Sequence, residues 1–219
     1  MPQVPFRLPV GVTVRDPYGH QYMIEGLLGR GEHDAVYLVH DRYFKQDVFA
    51  LKEVIDPSPQ GREHFIFEGT LLMGLHHQVL PHVYCVFEHE KLKRMYLLME
   101  YIVGRDLESL RRAQPEQRFS LPVALDLLAP IADALSYLHT QVPPIVHRDI
   151  KPANMIRPIG TKPTMLVNFG FAKPHLSDGT TALIRRGRPG YAAPEQYSGG
   201  TDPRTDIYAL GGLISFKYY

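Results

Sequence analysis

Short apolar runs broken by Gly, Asp and Pro fill the chain from Tyr22 to Tyr101. Tyr22–Leu28, Ala35–Val39 and Val48–Val54 are rich in β-branched and aromatic residues and predict three strands. Asp56-Pro-Ser-Pro-Gln-Gly61 reads as a loop. Phe65, Leu72 and Leu75 then recur at helical spacing, and Glu68 falls on the same face. His82–Glu88 and Met95–Tyr101 predict two further strands. From Gly104 the pattern turns helical. Leu121, Leu125, Leu128, Ile131, Ala132, Leu135 and Leu138 trace one face of a long helix, with Ser120 as N-cap and a kink expected at Pro130. Met165–Asn168 is a short strand, and residues 174–190 read as a mobile loop. The pattern implies an α+β protein of two lobes. Residues 1–20 form an N-terminal extension, 21–102 a small β-sheet lobe with one helix, and 103–219 a mainly helical lobe.

Composition narrows the function. The 219 residues are 44% hydrophobic and 21% charged, which is ordinary globular usage. A net charge of +1 gives no electrostatic case for nucleic acid or an anionic membrane. Nothing in the sequence reads as a membrane span or a secretory signal. The lone Cys85 excludes an internal disulfide and fits a reducing, cytoplasmic setting, with the thiol as a small hydrophobe. The 11 histidines are scattered, and the adjacent His76 and His77 cannot face one ion from a helix.

The strongest chemical signal is His147-Arg-Asp-Ile-Lys-Pro-Ala-Asn154. Asp149 can accept a proton from an attacking hydroxyl. Lys151 can neutralise a transferring phosphate, and Asn154 can offer a carbonyl oxygen to Mg²⁺. Glycines in Leu28-Gly-Arg-Gly-Glu-His-Asp-Ala-Val-Tyr37 allow backbone N–H groups to approach phosphates. In Phe49-Ala-Leu-Lys-Glu53, Lys52 shares the inward face with Ala50 and needs a counter-charge, for which Glu68 is placed.

Together these segments resemble a serine/threonine protein kinase of the bacterial type. Gly190-Tyr-Ala-Ala-Pro-Glu-Gln-Tyr197 matches the family's Ala-Pro-Glu segment. Asp202-Pro-Arg-Thr-Asp-Ile-Tyr-Ala-Leu-Gly211 matches the start of its central helix. The resemblance implies transfer of the ATP γ-phosphate to protein Ser or Thr, with Mg²⁺. It implies catalytic roles for Lys52, Glu68, Asp149 and Lys151. ATP would be held by Leu28, Gly29, Gly31, Val36, Ala50, Lys52, Met99, Glu100, Ile102 and Ile156, with Met99 as gatekeeper. Asn154 and Asn168 would be the metal ligands. Asp206 would hold the catalytic-loop backbone. Arg148 would meet a phosphate on the loop around Ser177, Thr180 and Thr181, helped by Arg185 and Arg186.

The chain departs from this pattern at four places. Asn168-Phe-Gly170 stands where the family has Asp-Phe-Gly, which implies impaired catalysis. Asp34 takes the third glycine position, and Gly187-Arg188 replaces Gly-Thr. The helical lobe is shorter than the family's, so Leu210, Leu213, Ile214 and Phe216 are expected to lack partners and to favour self-association. A pseudokinase scaffold and a truncated kinase fragment are the alternatives to an active enzyme. The protein substrate is not indicated.

Overall fold

The computed structural model describes residues 7–31, 34–55, 57–175, 190–198 and 200–214. The expectations for Ser177, Thr180, Thr181, Arg185, Arg186, Arg188 and Phe216 lie outside the described residues. Two compact units are present. One comprises Met1–His76 and Pro81–Ile102, the other His77–Leu80 and Val103–Tyr219.

The first unit is a six-stranded antiparallel sheet with one helix. Its elements are β1 (Thr13–Arg15), β2 (Gln21–Arg30), β3 (Asp34–Asp41), β4 (Val48–Ile55), α1 (Pro59–Met73), β5 (Val83–His89) and β6 (Arg94–Glu100). The strand order is β1-β2-β3-β4-β6-β5. Residues 13–15, set within an expected extension, instead pair with β2, Val14 opposite Tyr22. Asp41 shapes the β3–β4 turn by accepting from the Tyr43 and Phe44 N–H groups at 2.7 and 3.0 Å. Helix α1 starts earlier than its apolar pattern suggests. Ser58 caps it, accepting from Gly61 N at 3.1 Å, and Pro59 takes the first helical position. It ends at Met73, so the buried Leu75 lies beyond Gly74, the C-cap.

Period-2 alternation divides the sheet into two faces. Tyr22, Ile24, Ala35, Tyr37, Val39, Leu51, Phe87, Tyr96 and Leu98 form a cluster on one face, against which Leu8, Val12 and Cys85 pack. Burial pushes the Cys85 thiol up to about 11, as expected for an inert packing group. Within this face lies a buried ion pair, Glu53 with Arg94. The Tyr37 and Tyr96 hydroxyls donate to the same carboxylate at 3.0 and 3.1 Å. Burial first, and then Glu53, raise both phenols and keep them protonated as donors. Cys85 itself is half-buried.

The second unit contains β7 (Gly104–Asp106), α2 (Leu107–Arg112), α3 (Leu121–His139), β8 (Ile145–Val146), β9 (Met155–Pro158), β10 (Met165–Leu166), β11 (Lys173–Pro174), α4 (Pro194–Ser198) and α5 (Pro203–Gly212). The strands form two small sheets, β10-β9-β7 and β11-β8. Segment 77–80 joins this unit because the Leu166 N–H donates to Val79 O at 2.9 Å and His77 stacks on Tyr137.

Helix α3 corrects the sequence expectation in detail. Ser120 takes the N-cap position with extended backbone angles, but its side chain makes no capping bond. The helix continues through Pro130 to His139. Its buried face is Ala124, Leu127, Leu128, Ile131, Ala134, Leu135 and Leu138, whereas Leu121, Leu125 and Ala132 are exposed. The buried face thus includes the small residues Ala124 and Ala134. By length and composition alone α3 could cross a membrane. Its fully buried residues instead make it a core helix of this unit. Leu210 and Leu213, expected to lack partners, are buried, as α5 packs against α3 and β8. Ile207 and Tyr208 are the exposed apolar residues of α5.

Removing one partner of the Glu53–Arg94 pair leaves a buried charge uncompensated. Arg94→Leu is expected to destabilise the chain by about 3–5 kcal/mol. Urea unfolding of the full chain checks this; a loss below about 1 kcal/mol would count against it.

Candidate active site

Register determines which side chains of the first unit share a face. Across β3, β4 and β6, Val36 pairs with Lys52 and Lys52 with Leu97, while Leu38 pairs with Ala50 and Ala50 with Met99. Val36, Ala50, Lys52 and Met99 therefore lie on the face opposite the Glu53 cluster. Lys52 Nζ donates to both Glu68 oxygens, at 2.8 and 3.0 Å. Both residues are buried, so each charge depends on the other. Glu68 reaches Lys52 because Gly69 lets α1 approach the sheet. A Cβ at Gly69 would lie 2.3 Å from Val86 Cγ2 and 2.9 Å from Leu97 Cδ1.

The glycine-rich turn is closed by Gly31 N donating to Asp34 O at 3.0 Å. The Asp34 carboxylate folds over Gly31, and a Cβ there would meet Asp34 Oδ1 at 1.9 Å. Gly29 has open space around it, and Leu28 is exposed. The Glu100 N–H is committed to His82 O at 2.8 Å, and Ile102 is buried.

In the second unit the segment 147–154 is anchored by one carboxylate. Asp206 is fully buried and accepts from the His147 and Arg148 N–H groups at 2.8 and 2.7 Å, with the His139 ring at 3.0 Å. Arg148 adopts φ +65°, a left-handed conformation that costs a non-glycine residue free energy. Its side chain is held by Nε donating to Phe171 O at 2.5 Å, and Gln196 Nε2 donates to its carbonyl at 3.0 Å. Burial lowers the Arg148 pKa from its ordinary value.

Asp149 is buried and points into a chain of donors. Lys151 Nζ donates to Asp149 Oδ2 at 2.6 Å, and Asn154 Nδ2 donates to Asp149 Oδ2 and to Asp149 O, both at 2.8 Å. Asn168 Nδ2 in turn donates to Asn154 Oδ1 at 3.1 Å. Asn168 sits at φ +66°, a region that asparagine enters more readily than most residues. Ile156 is half-buried on β9. Each unit thus holds a buried lysine in direct contact with a carboxylate, Lys52 with Glu68 and Lys151 with Asp149.

The protein kinase domain family matches residues 22–216. The chain belongs to this family. A Ser/Thr kinase PkaB from Streptomyces coelicolor is 31% identical over 90% of this chain. Serine/threonine-protein kinase D from Synechocystis is 33% identical over 90% of it. The cAMP-dependent protein kinase catalytic subunit of Dictyostelium discoideum is 33% identical over 95%. The chain spans 48%, 40% and 31% of those relatives' lengths, respectively. The solved structure of vaccinia related kinase 3 shares the fold with a TM-score of 0.76, at 20% identity, covering 97% of this chain and 69% of that one.

Kinase domains use ATP and Mg²⁺ in general. Mg²⁺ requires hard oxygen ligands, commonly carboxylates. Here the Asn154 oxygen is already an acceptor for the Asn168 amide, and Asn168 brings no charge. The donor set as arranged does not fit a divalent cation, and no step is routed through one below.

Several positioning residues carried no clear sequence signal. His139 lies at the end of α3, far in sequence from Asp206. Gln196 follows the recognisable Ala-Pro-Glu run, yet its amide bridges Arg148 O and Ala193 N. Glu195, in the same run, accepts from Thr205 Oγ1 at 2.9 Å.

Two tests follow from this packing. Gly69→Ala is expected to push α1 from the sheet, cost about 1–3 kcal/mol, and weaken the Lys52–Glu68 contact. Val86→Ala in the same chain should recover most of that loss, as measured by thermal unfolding. The second concerns His147, whose pKa is lowered, chiefly by burial. A lowered histidine contributes stability above its unfolded value, and that stability is lost as pH falls below about 6.5. Unfolding free energy should therefore decline as pH drops from 7 to 5, with a shallower slope in His147→Asn. Identical slopes in the two proteins would remove His147 as the cause.

Proposed function

We propose that this kinase domain binds ATP and transfers its γ-phosphate to Ser or Thr hydroxyls of proteins, at a rate reduced by Asn168. The observation that carries the reading is the Asp149 carboxylate, held by Lys151 and Asn154 in a buried, charge-balanced site. Asp149 is the group to accept the hydroxyl proton as the new O–P bond forms and the bond from the γ-phosphorus to the bridging oxygen breaks, with ADP as the leaving group. Lys151 is placed to neutralise the transferring phosphoryl group, and Lys52, oriented by Glu68, to bind the other phosphates of ATP. Val36, Ala50 and Met99, sharing one sheet face, fit contact with the base, with Leu28, Gly29, Gly31, Glu100, Ile102 and Ile156 completing the nucleotide-binding set. Arg148 and the loop bearing Thr180 and Thr181 are the proposed regulatory elements.

A second reading is favoured by the Asn154–Asn168 hydrogen bond. A domain whose metal ligands satisfy each other suits nucleotide binding or scaffolding more than rapid turnover. Deleting one preorganised charge at a reacting centre costs on the order of 10²-fold in rate.

Transfer of labelled γ-phosphate to a generic Ser/Thr substrate separates the two. The wild-type chain is expected to exceed Asp149→Asn and Lys52→Met, and Asn168→Asp to exceed wild type by at least about tenfold. Transfer no greater than that of Asp149→Asn, with ATP still bound, would favour the scaffolding reading.

A further inference from the structure

We infer that the Asn168 side-chain amide takes the electrostatic place of a divalent cation at Asn154, closing this centre without metal. The orientation of each amide follows from the network. Asn154 Nδ2 has two acceptors, Asp149 O and Asp149 Oδ2, both at 2.8 Å. Turning the Asn154 amide over would set its oxygen against both of them. Asn154 Oδ1 therefore faces away from Asp149 and towards Asn168. At 3.1 Å that oxygen requires a donor, so Asn168 must present Nδ2. The chain runs from the Lys151 ammonium through the Asp149 carboxylate and the Asn154 amide to Asn168, with each link a donor meeting an acceptor.

A carboxylate at position 168 would break this order. Its oxygen would face the buried Asn154 Oδ1, acceptor against acceptor, from a position that is itself exposed. Such a contact is repulsive and is relieved by a cation between the oxygens, which is how a carboxylate at 168 would gain a response to Mg²⁺. The Asn168 N–H supplies the positive end of a dipole at that place, at nearly the volume of aspartate. The left-handed backbone at residue 168 suits asparagine, so the exchange leaves the local fold intact.

The inference concerns the same centre as the proposed function, but its test contains no nucleotide, so its failure is separate from an absence of phosphoryl transfer. Thermal unfolding of the full chain is measured in EDTA and in about 10 mM MgCl₂ at matched ionic strength. Wild type is expected to change by no more than about 1 °C, whereas Asn168→Asp should be less stable in EDTA and gain about 3 °C or more with Mg²⁺. Asn168→Ala, which lacks both the donor and the charge, should lose stability and show no Mg²⁺ response. Mn²⁺ added to wild type supplies an arm that needs no variant: the Asn168 side-chain amide resonances should stay unbroadened in the NMR spectrum. Selective broadening of those resonances, or a wild-type gain with Mg²⁺ equal to that of Asn168→Asp, would overturn the inference.

Discussion

The second unit depends on one buried carboxylate. Asp206 accepts from two successive backbone N–H groups, His147 and Arg148, and meets the His139 ring. Successive N–H groups converge on one acceptor only when the backbone turns sharply, and Arg148 supplies that turn with φ +65°. A left-handed residue costs about 1–2 kcal/mol, while a hydrogen bond to a charged group contributes about 1.5–3 kcal/mol net. Two such bonds outweigh the strain. The turn in turn directs Asp149 inward, where Lys151 and Asn154 meet it. Asp206 itself is delivered by the first turn of α5, which is fixed by the Asp202–Thr205 capping box. The chemistry at Asp149 is thus positioned by a helix start distant in sequence.

The first unit solves a different problem with one strand. Lys52 and Glu53 are adjacent on β4, so their side chains leave on opposite faces. Both are buried, and each has its own counter-ion, Glu68 for Lys52 and Arg94 for Glu53. The Glu53 side is sealed by Tyr37 and Tyr96, whose hydroxyls saturate the carboxylate, and by the packing of Leu8 and Val12. That pair serves the fold. The Lys52 side lies among Val36, Ala50 and Met99, and its pairing rests on the close approach of α1 at Gly69. Gly69→Ala therefore probes one face of the strand and Arg94→Leu the other.

Much of this could be read from the chain because it is written in local patterns. Strand alternation located β2 to β6, and a lysine on an inward-facing position demanded a partner that helical spacing found in Glu68. The segment 147–154, whose Asp149, Lys151 and Asn154 the structure brings into contact, stood out from residue types alone. What could not be read is non-local. The Glu53–Arg94–Tyr37–Tyr96 network joins four strand positions that are separately unremarkable. The buried face of α3, which leaves Leu121 and Leu125 exposed, depends on the elements packed against it, α5, β8 and β10. Pairing of residues 13–15 with β2, and the burial of Leu210 and Leu213, likewise depend on neighbours supplied by the fold.

Asn168 places an amide where the backbone would equally admit a carboxylate. Asparagine and aspartate differ little in volume, and both tolerate the left-handed backbone found here. The difference lies in one edge of the side chain, which donates in the amide and accepts in the carboxylate. Asn154 has already spent its own donor on Asp149, so only a donor can satisfy its remaining oxygen. The hydrogen-bond order imposed by Asp149 therefore propagates outward and favours a donor at position 168. Loop geometry, anchored at Asp206, is indifferent to that choice. The backbone at Asp149 and the hydrogen-bond order at residue 168 are in this way held by separate interactions, Asp206 holding the first and Asn154 the second.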